Sequence, residues 1–128
     1  METVIVDTNV FLRFLLKDNH SLYKQALSLL TLAKQGKAKL LVPGIVIFEI
    51  SFVLGSVYKF TKEEILQKIE SLLAVSYLSI DEIAIFKQAT TLCKNSNHSL
   101  ADCFLVAKAK NQGIKLFTFD KKLAKLSS

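Results

Sequence analysis

The chain has no tryptophan, one proline, four glycines, two cysteines and a single arginine, Arg13. With so little Gly and Pro and 51% of its residues hydrophobic, it cannot be collagen-like, low-complexity or disordered. Cys93 and Cys103 stand ten apart with no second pair. That makes neither a disulfide framework nor a zinc pattern, and a reducing, cytoplasmic setting is expected. A basic leader is missing too: Met1-Glu2-Thr3 opens with an acid and Asp7 interrupts the first apolar run, so no signal peptide is expected. The stretch 40–58 has one charge, Glu49, and its length alone would suit a membrane span. Pro43-Gly44 and the central acid argue instead for a strand, a turn and a buried helix, and no membrane partner is expected.

What the chain does have is enough length, 128 residues, for one self-sufficient core, expected as a single domain over 1–128. It also has 17 basic against 11 acidic residues, a net charge of +6. All but one of the basic residues are lysines, and they crowd the C-terminal end. Such an excess attracts polyanions, nucleic acid among them, although lysines on a solvated helix face would give the same count.

Patterning predicts strands alternating with helices. A β-branched run over 3–6 reads as a buried strand ending at Asp7, and a helix follows over 9–16. Helical spacing continues over 21–34 and stops at Gly36. A second strand over 40–42 leads through Pro43-Gly44 into a helix to about 58. Thr61-Lys62-Glu63-Glu64 is a capping-box start for a helix to about 73. A third strand is expected over 75–78. Further boxes at Ser79-Ile80-Asp81-Glu82 and Ser99-Leu100-Ala101-Asp102 open helices to about 94 and 111, the latter stopped by Gly113. A last strand is expected over 114–117. This order specifies an α/β fold, three layers around a short central parallel sheet. In such sheets ligands bind beyond the carboxyl ends of the strands.

Four acids draw attention. Asp7 and Asp120 follow the first and last expected strands, Glu49 interrupts an apolar helix, and Asp102 lies in the first turn of another. Each has an ordinary structural account: Asp7 and Asp120 as helix caps, Asp102 as a box residue, Glu49 as an acid paired inside a helix. Together they suggest more. Four carboxylates gathered in a partly dry cleft repel one another unless a divalent cation intervenes, and an all-oxygen set suits Mg²⁺ or Mn²⁺. An acidic metal pocket in a basic surface suits hydrolysis of a phosphodiester chain.

The residues that carry this reading also carry a resemblance. Val6-Asp7-Thr8-Asn9-Val10-Phe11-Leu12-Arg13 resembles the opening motif of PIN-domain ribonucleases. Phe48-Glu49-Ile50, Ser99-Leu100-Ala101-Asp102-Cys103 and Thr118-Phe119-Asp120 resemble the three later acidic motifs, in the family's order. At this length the chain is most similar to the toxin component of VapBC toxin–antitoxin pairs. The resemblance implies a PIN-like α/β/α fold and Mg²⁺- or Mn²⁺-dependent RNA cleavage. It also implies a homodimer, and a cognate antitoxin whose tail occupies the acidic site. Asp7, Glu49, Asp102 and Asp120 become the catalytic, metal-binding quartet, supported by Asn9 and Thr118. The expected reaction is in-line attack by water, activated by the cation, expelling the ribose 3′ oxygen. Asp7 and Asp102 are the first ligands; Glu49 and Asp120 serve a second metal or hold waters. Lys115, Lys121, Lys122 and Lys125 are expected on the RNA backbone, and His98 at the rim without ligating. The alternative is a PIN-like module that binds RNA or protein without cutting. A haloacid-dehalogenase phosphatase is disfavoured because Asn9 replaces its second acid, and a receiver domain because Ser79 follows the run 75–78.

Overall fold

The computed structural model describes residues 1–128, which form two compact units, Met1–Asp81 and Glu82–Ser128. The first unit runs β1 (Glu2–Ile5), α1 (Thr8–Leu16), α2 (His20–Lys34), β2 (Ala38–Val42), α3 (Gly44–Ser56), α4 (Lys62–Leu73) and β3 (Leu78–Ile80). The strands form one parallel sheet in the order β1-β2-β3, with Val4 opposite Leu40 and Leu40 opposite Leu78. Leu40 on the central strand is fully buried, as are Ile47, Ile50 and Leu54 of α3 and Ile69 of α4. Burying each such side chain contributes about 1.5–3 kcal/mol. The ladder continues past β1: the Val6 amide donates to the Leu41 carbonyl at 3.1 Å. That bond holds the chain to the sheet up to the residue before Asp7.

The start of α4 follows the sequence closely. Thr61 Oγ1 accepts from the Glu64 amide and Glu64 Oε1 accepts from the Thr61 amide, a complete capping box. The backbone bond and the Thr61 hydroxyl together hold the Glu64 carboxyl below its ordinary pKa. At the end of α2, Gly36 takes φ +74°, and the Lys37 amide reaches the Leu32 carbonyl. This closure needs a left-handed residue, the conformation glycine adopts without steric cost.

Several expectations are corrected in this unit. β1 is not buried: as the terminal strand of the sheet order it has one bonded neighbour, and Ile5 is 69% exposed. The third strand is displaced from 75–78 to Leu78–Ile80, because the Val75 and Leu78 amides close turns onto the Leu72 and Val75 carbonyls. Ser79 and Ile80 therefore belong to a strand, so no capping box forms there. Nor is α3 buried all round, since Ile45, Glu49 and Phe52 are exposed. Its sequence is apolar on every side, so periodicity could not say which face is covered.

The second unit contains α5 (Ile83–Lys94), α6 (Leu100–Gln112) and α7 (Lys121–Ser127). Phe86 of α5 and Phe104 of α6 meet with ring centroids 4.7 Å apart. Lys108 on α6 reaches the Glu82 carboxylate at 2.9 Å. Glu82 precedes α5 at φ +52° without a side-chain cap, so the salt bridge accompanies a left-handed entry to the helix. The expected strand over 114–117 is absent; these residues are irregular. Gly113, at φ +64°, ends α6, and the Ile114 amide turns back to the Ala109 carbonyl. No helix is long and apolar enough to cross a membrane.

Candidate active site

Each unit carries part of the predicted acidic set. In the first, Asp7 leaves β1 and caps α1, its Oδ1 accepting from the Thr8 amide at 2.7 Å. Its exposed carboxylate and that of Glu49 on α3 line one cavity of about 340 Å³, together with Thr8, Asn9, Arg13 and Tyr58. Asn9 lines the same cavity. Arg13 also lines this cavity, with its guanidinium already engaged. Nη1 donates to both Asp18 oxygens at 2.9 and 2.8 Å, and Nη2 donates to Tyr58 Oη at 3.1 Å. The tyrosine hydrogen bond first, and Asp18 second, raise the Arg13 pKa above its ordinary value. The cation is fixed rather than spread over Asp7 and Glu49.

In the second unit, Ser99 caps α6 by accepting from the Asp102 amide at 3.1 Å. That places Asp102 in the first helical turn. Asp120 caps α7, its Oδ1 accepting from the Lys122 and Leu123 amides, both at 3.0 Å. Thr118 Oγ1 accepts from the Asp120 amide at 3.1 Å and shapes the turn into that cap. Two helix starts therefore deliver two carboxylates. His98 joins them: the ligand atoms of His98, Asp102 and Asp120 all lie within 4.8 Å of one another. Its Nδ1 is 3.9 Å from Asp102 Oδ2. Sequence reasoning kept His98 out of the donor set, and it missed Thr8 and Tyr58. The available signals were the position of His98 just before the Ser99 cap and the position of Thr8 inside the Asp7 motif. Lys115, Lys121, Lys122 and Lys125 are all exposed.

The donors suit a divalent cation. Carboxylate oxygens are the ligand type that Mg²⁺ and Mn²⁺ sites draw on, and an imidazole nitrogen suits later transition metals better than Mg²⁺. On the Asp7–Glu49 cavity, the Thr8 hydroxyl oxygen is buried with no hydrogen-bond partner. A buried hydroxyl in that condition costs free energy until it meets a partner such as an ordered water of an ion's shell.

A strand-exit acid caps one helix, a second acid stands on an apolar helix, and two further acids lie at helix starts. The PIN domain family model matches residues 4–128, and the chain belongs to the PIN domain family, with the α/β/α class of fold its sequence predicts. A VapC ribonuclease of Aquifex aeolicus (strain VF5) is 28% identical over 123 residues, covering 95% of this chain and 90% of that protein.

Proposed function

We propose that the protein is a divalent-metal-dependent endoribonuclease, the toxin of a toxin–antitoxin pair, and that residues 1–128 work as one PIN domain in the cytoplasm. The observation that carries this reading is the convergence of His98, Asp102 and Asp120 within 4.8 Å on a segment rich in exposed lysine. Membership of the PIN family and similarity to a VapC ribonuclease support the substrate class.

Asp7, Glu49, Asp102 and Asp120 are the residues that would hold Mg²⁺ or Mn²⁺. When bound, such an ion supplies positive charge to the phosphate oxygens and lowers the pKa of water. The chain's own contribution is placement. Caps at Ser99 and Asp120 fix the backbone at Asp102 and Asp120, and rigid element ends hold geometry better than loops do. Asn9 and Thr118 support the acids near them in sequence. Lys115, Lys121, Lys122 and Lys125 neutralise backbone phosphates and release counterions. Arg13 is held by Asp18 and Tyr58, which keeps a permanent cation from closing against the acids of its cavity.

Protein partners are part of the same proposal. Ile45 and Phe52, 68% and 71% exposed, lie one helical turn to either side of Glu49 on α3. An apolar pair flanking an acid suits a protein chain, an antitoxin or a second copy, better than it suits water.

The test is cleavage of a mixed-sequence single-stranded RNA by purified protein with Mg²⁺, with Mn²⁺ and with chelator. Metal-dependent internal cuts that vanish in Asp102→Asn are expected. Tight RNA binding with no cleavage under any metal would favour a non-catalytic binding module.

A further inference from the structure

Resting on the metal-nuclease reading, we propose that His98 is a ligand in its own right, a nitrogen donor that turns the site's preference from Mg²⁺ towards Mn²⁺. The separation decides between two roles for the ring. At 3.9 Å from Asp102 Oδ2, Nδ1 is too far for a hydrogen bond. It is, however, at a spacing two ligands of one ion adopt. With metal–ligand bonds near 2.1 Å, adjacent ligands sit about 3 Å apart and opposite ones about 4 Å. Asp120 completes the group within 4.8 Å, a small side-chain adjustment from that range.

The surroundings favour the same role. The His98 side chain is 14% exposed, so it reaches the acids from the protein rather than from bulk water. Its backbone is tied on both sides: the Cys93 thiol donates to its carbonyl at 3.4 Å and its amide donates to Ser96 Oγ at 3.4 Å. Asp120 engages its helix through Oδ1, leaving Oδ2 for an ion. An oxygen-only set suits Mg²⁺, which dehydrates reluctantly. A neutral imidazole strengthens binding of later divalent ions more than of Mg²⁺. Ligation through Nδ1 requires the proton on Nε2.

The experiment measures metal binding rather than turnover. Mn²⁺ and Mg²⁺ are titrated separately by calorimetry into the full chain, His98→Ala and His98→Gln, and Mn²⁺-loaded samples are examined by pulsed electron paramagnetic resonance. Mn²⁺ affinity should fall on the order of ten-fold or more in both variants, the scale on which even outer partners of metal sites matter. Mg²⁺ affinity should change far less, and a ¹⁴N coupling seen in the parent should disappear. An unchanged Mn²⁺-to-Mg²⁺ ratio, a ¹⁴N signal that survives both substitutions, or no Mn²⁺ binding by the parent would overturn the proposal. The ribonuclease reading fails separately: a parent that shows the histidine-dependent Mn²⁺ preference but cuts no RNA keeps the ligand and loses the enzyme.

Discussion

The two acid groups carry similar charge in different settings. Asp7 and Glu49 share a cavity with the only arginine of the chain, and that arginine is held by Asp18 and Tyr58. Asp102 and Asp120 stand at the starts of two helices with a histidine among them, followed by exposed lysines that no structural pairing with these acids accounts for. In the first group the local cation is consumed by internal structure. In the second it remains at the surface, where a polyanion can meet it. Four carboxylates that look equivalent as letters are therefore unequal in what surrounds them. The first pair shares its cavity with a cation already committed to other partners, and the second is followed by lysines that are not.

Substitutions that erase charge but keep the caps put that comparison under the greatest strain. Asp7→Asn and Asp102→Asn should each lower metal-dependent RNA cleavage by about a hundred-fold or more, since the cation's share of transition-state stabilisation is several kcal/mol. Neither should alter the circular dichroism spectrum. In Asp7→Asn the new amide oxygen can still accept from the Thr8 amide, and at Asp102 the cap uses the backbone N–H. Asp120 separates the two duties. Asp120→Asn should lose cleavage alone, whereas Asp120→Ala should also lose roughly 1 kcal/mol of stability with the α7 cap. Full activity in either Asp7→Asn or Asp102→Asn would remove that group from the site.

How far the letters foretold these groups depends on what kind of signal each residue emits. Capping chemistry is local, so Thr61, Ser99 and the glycine stops at 36 and 113 were legible. The four acids stand out in the sequence because each sits against a background that makes it conspicuous. The box at Ser79 failed because the same letters satisfy a strand: Leu41 lies opposite Ser79 and Val42 opposite Ile80 in the sheet, and pairing outweighed a local cap. The exposure of Glu49 was hidden because α3 is apolar on all sides. His98 escaped for another reason. Its nearness to Asp120 depends on how α6 and α7 are packed, and no spacing rule within one element reports that.

A smaller effect tests the lysine side of the comparison. Replacing Lys121 and Lys122 together by Ala should weaken RNA binding and flatten its salt dependence by about one to two units on log–log axes. Single strands give a slope near −0.7 for each neutralised phosphate. The loss should be similar for RNAs of different sequence, because phosphate contacts position without specifying. Both lysines are exposed in the first turn of α7, and the cap there is made by Asp120 to backbone amides, so the helix should survive. Binding across a salt series on an Asp7→Asn background measures this without cleavage. An unchanged slope would return these lysines to ordinary solvation.

The smallest expected effect is the most discriminating for the first group. Glu49 and Asp7 line one cavity, and the guanidinium on the same wall is directed to Asp18 and Tyr58. Two like charges on one cavity, beside a cation committed to other partners, leave no pairing for the substitution to remove, so Glu49→Gln should leave the melting temperature unchanged or slightly raised. Both acids are exposed and water screens them, which keeps the rise within the roughly 0.5 kcal/mol usual for surface substitutions, a few degrees at most. Saturating Mn²⁺ should reverse the order. A ligand at a hundred times its dissociation constant stabilises the state that binds it by about 2.7 kcal/mol, and the Glu49→Gln variant forgoes part of that gain. Melting curves in chelator and in metal, run on both proteins, give a difference of differences in which general effects of the substitution cancel. A clear loss in chelator would mean that Glu49 serves the fold through a partner of its own, and that its place on the cavity with Asp7 is structural rather than a preparation for a cation.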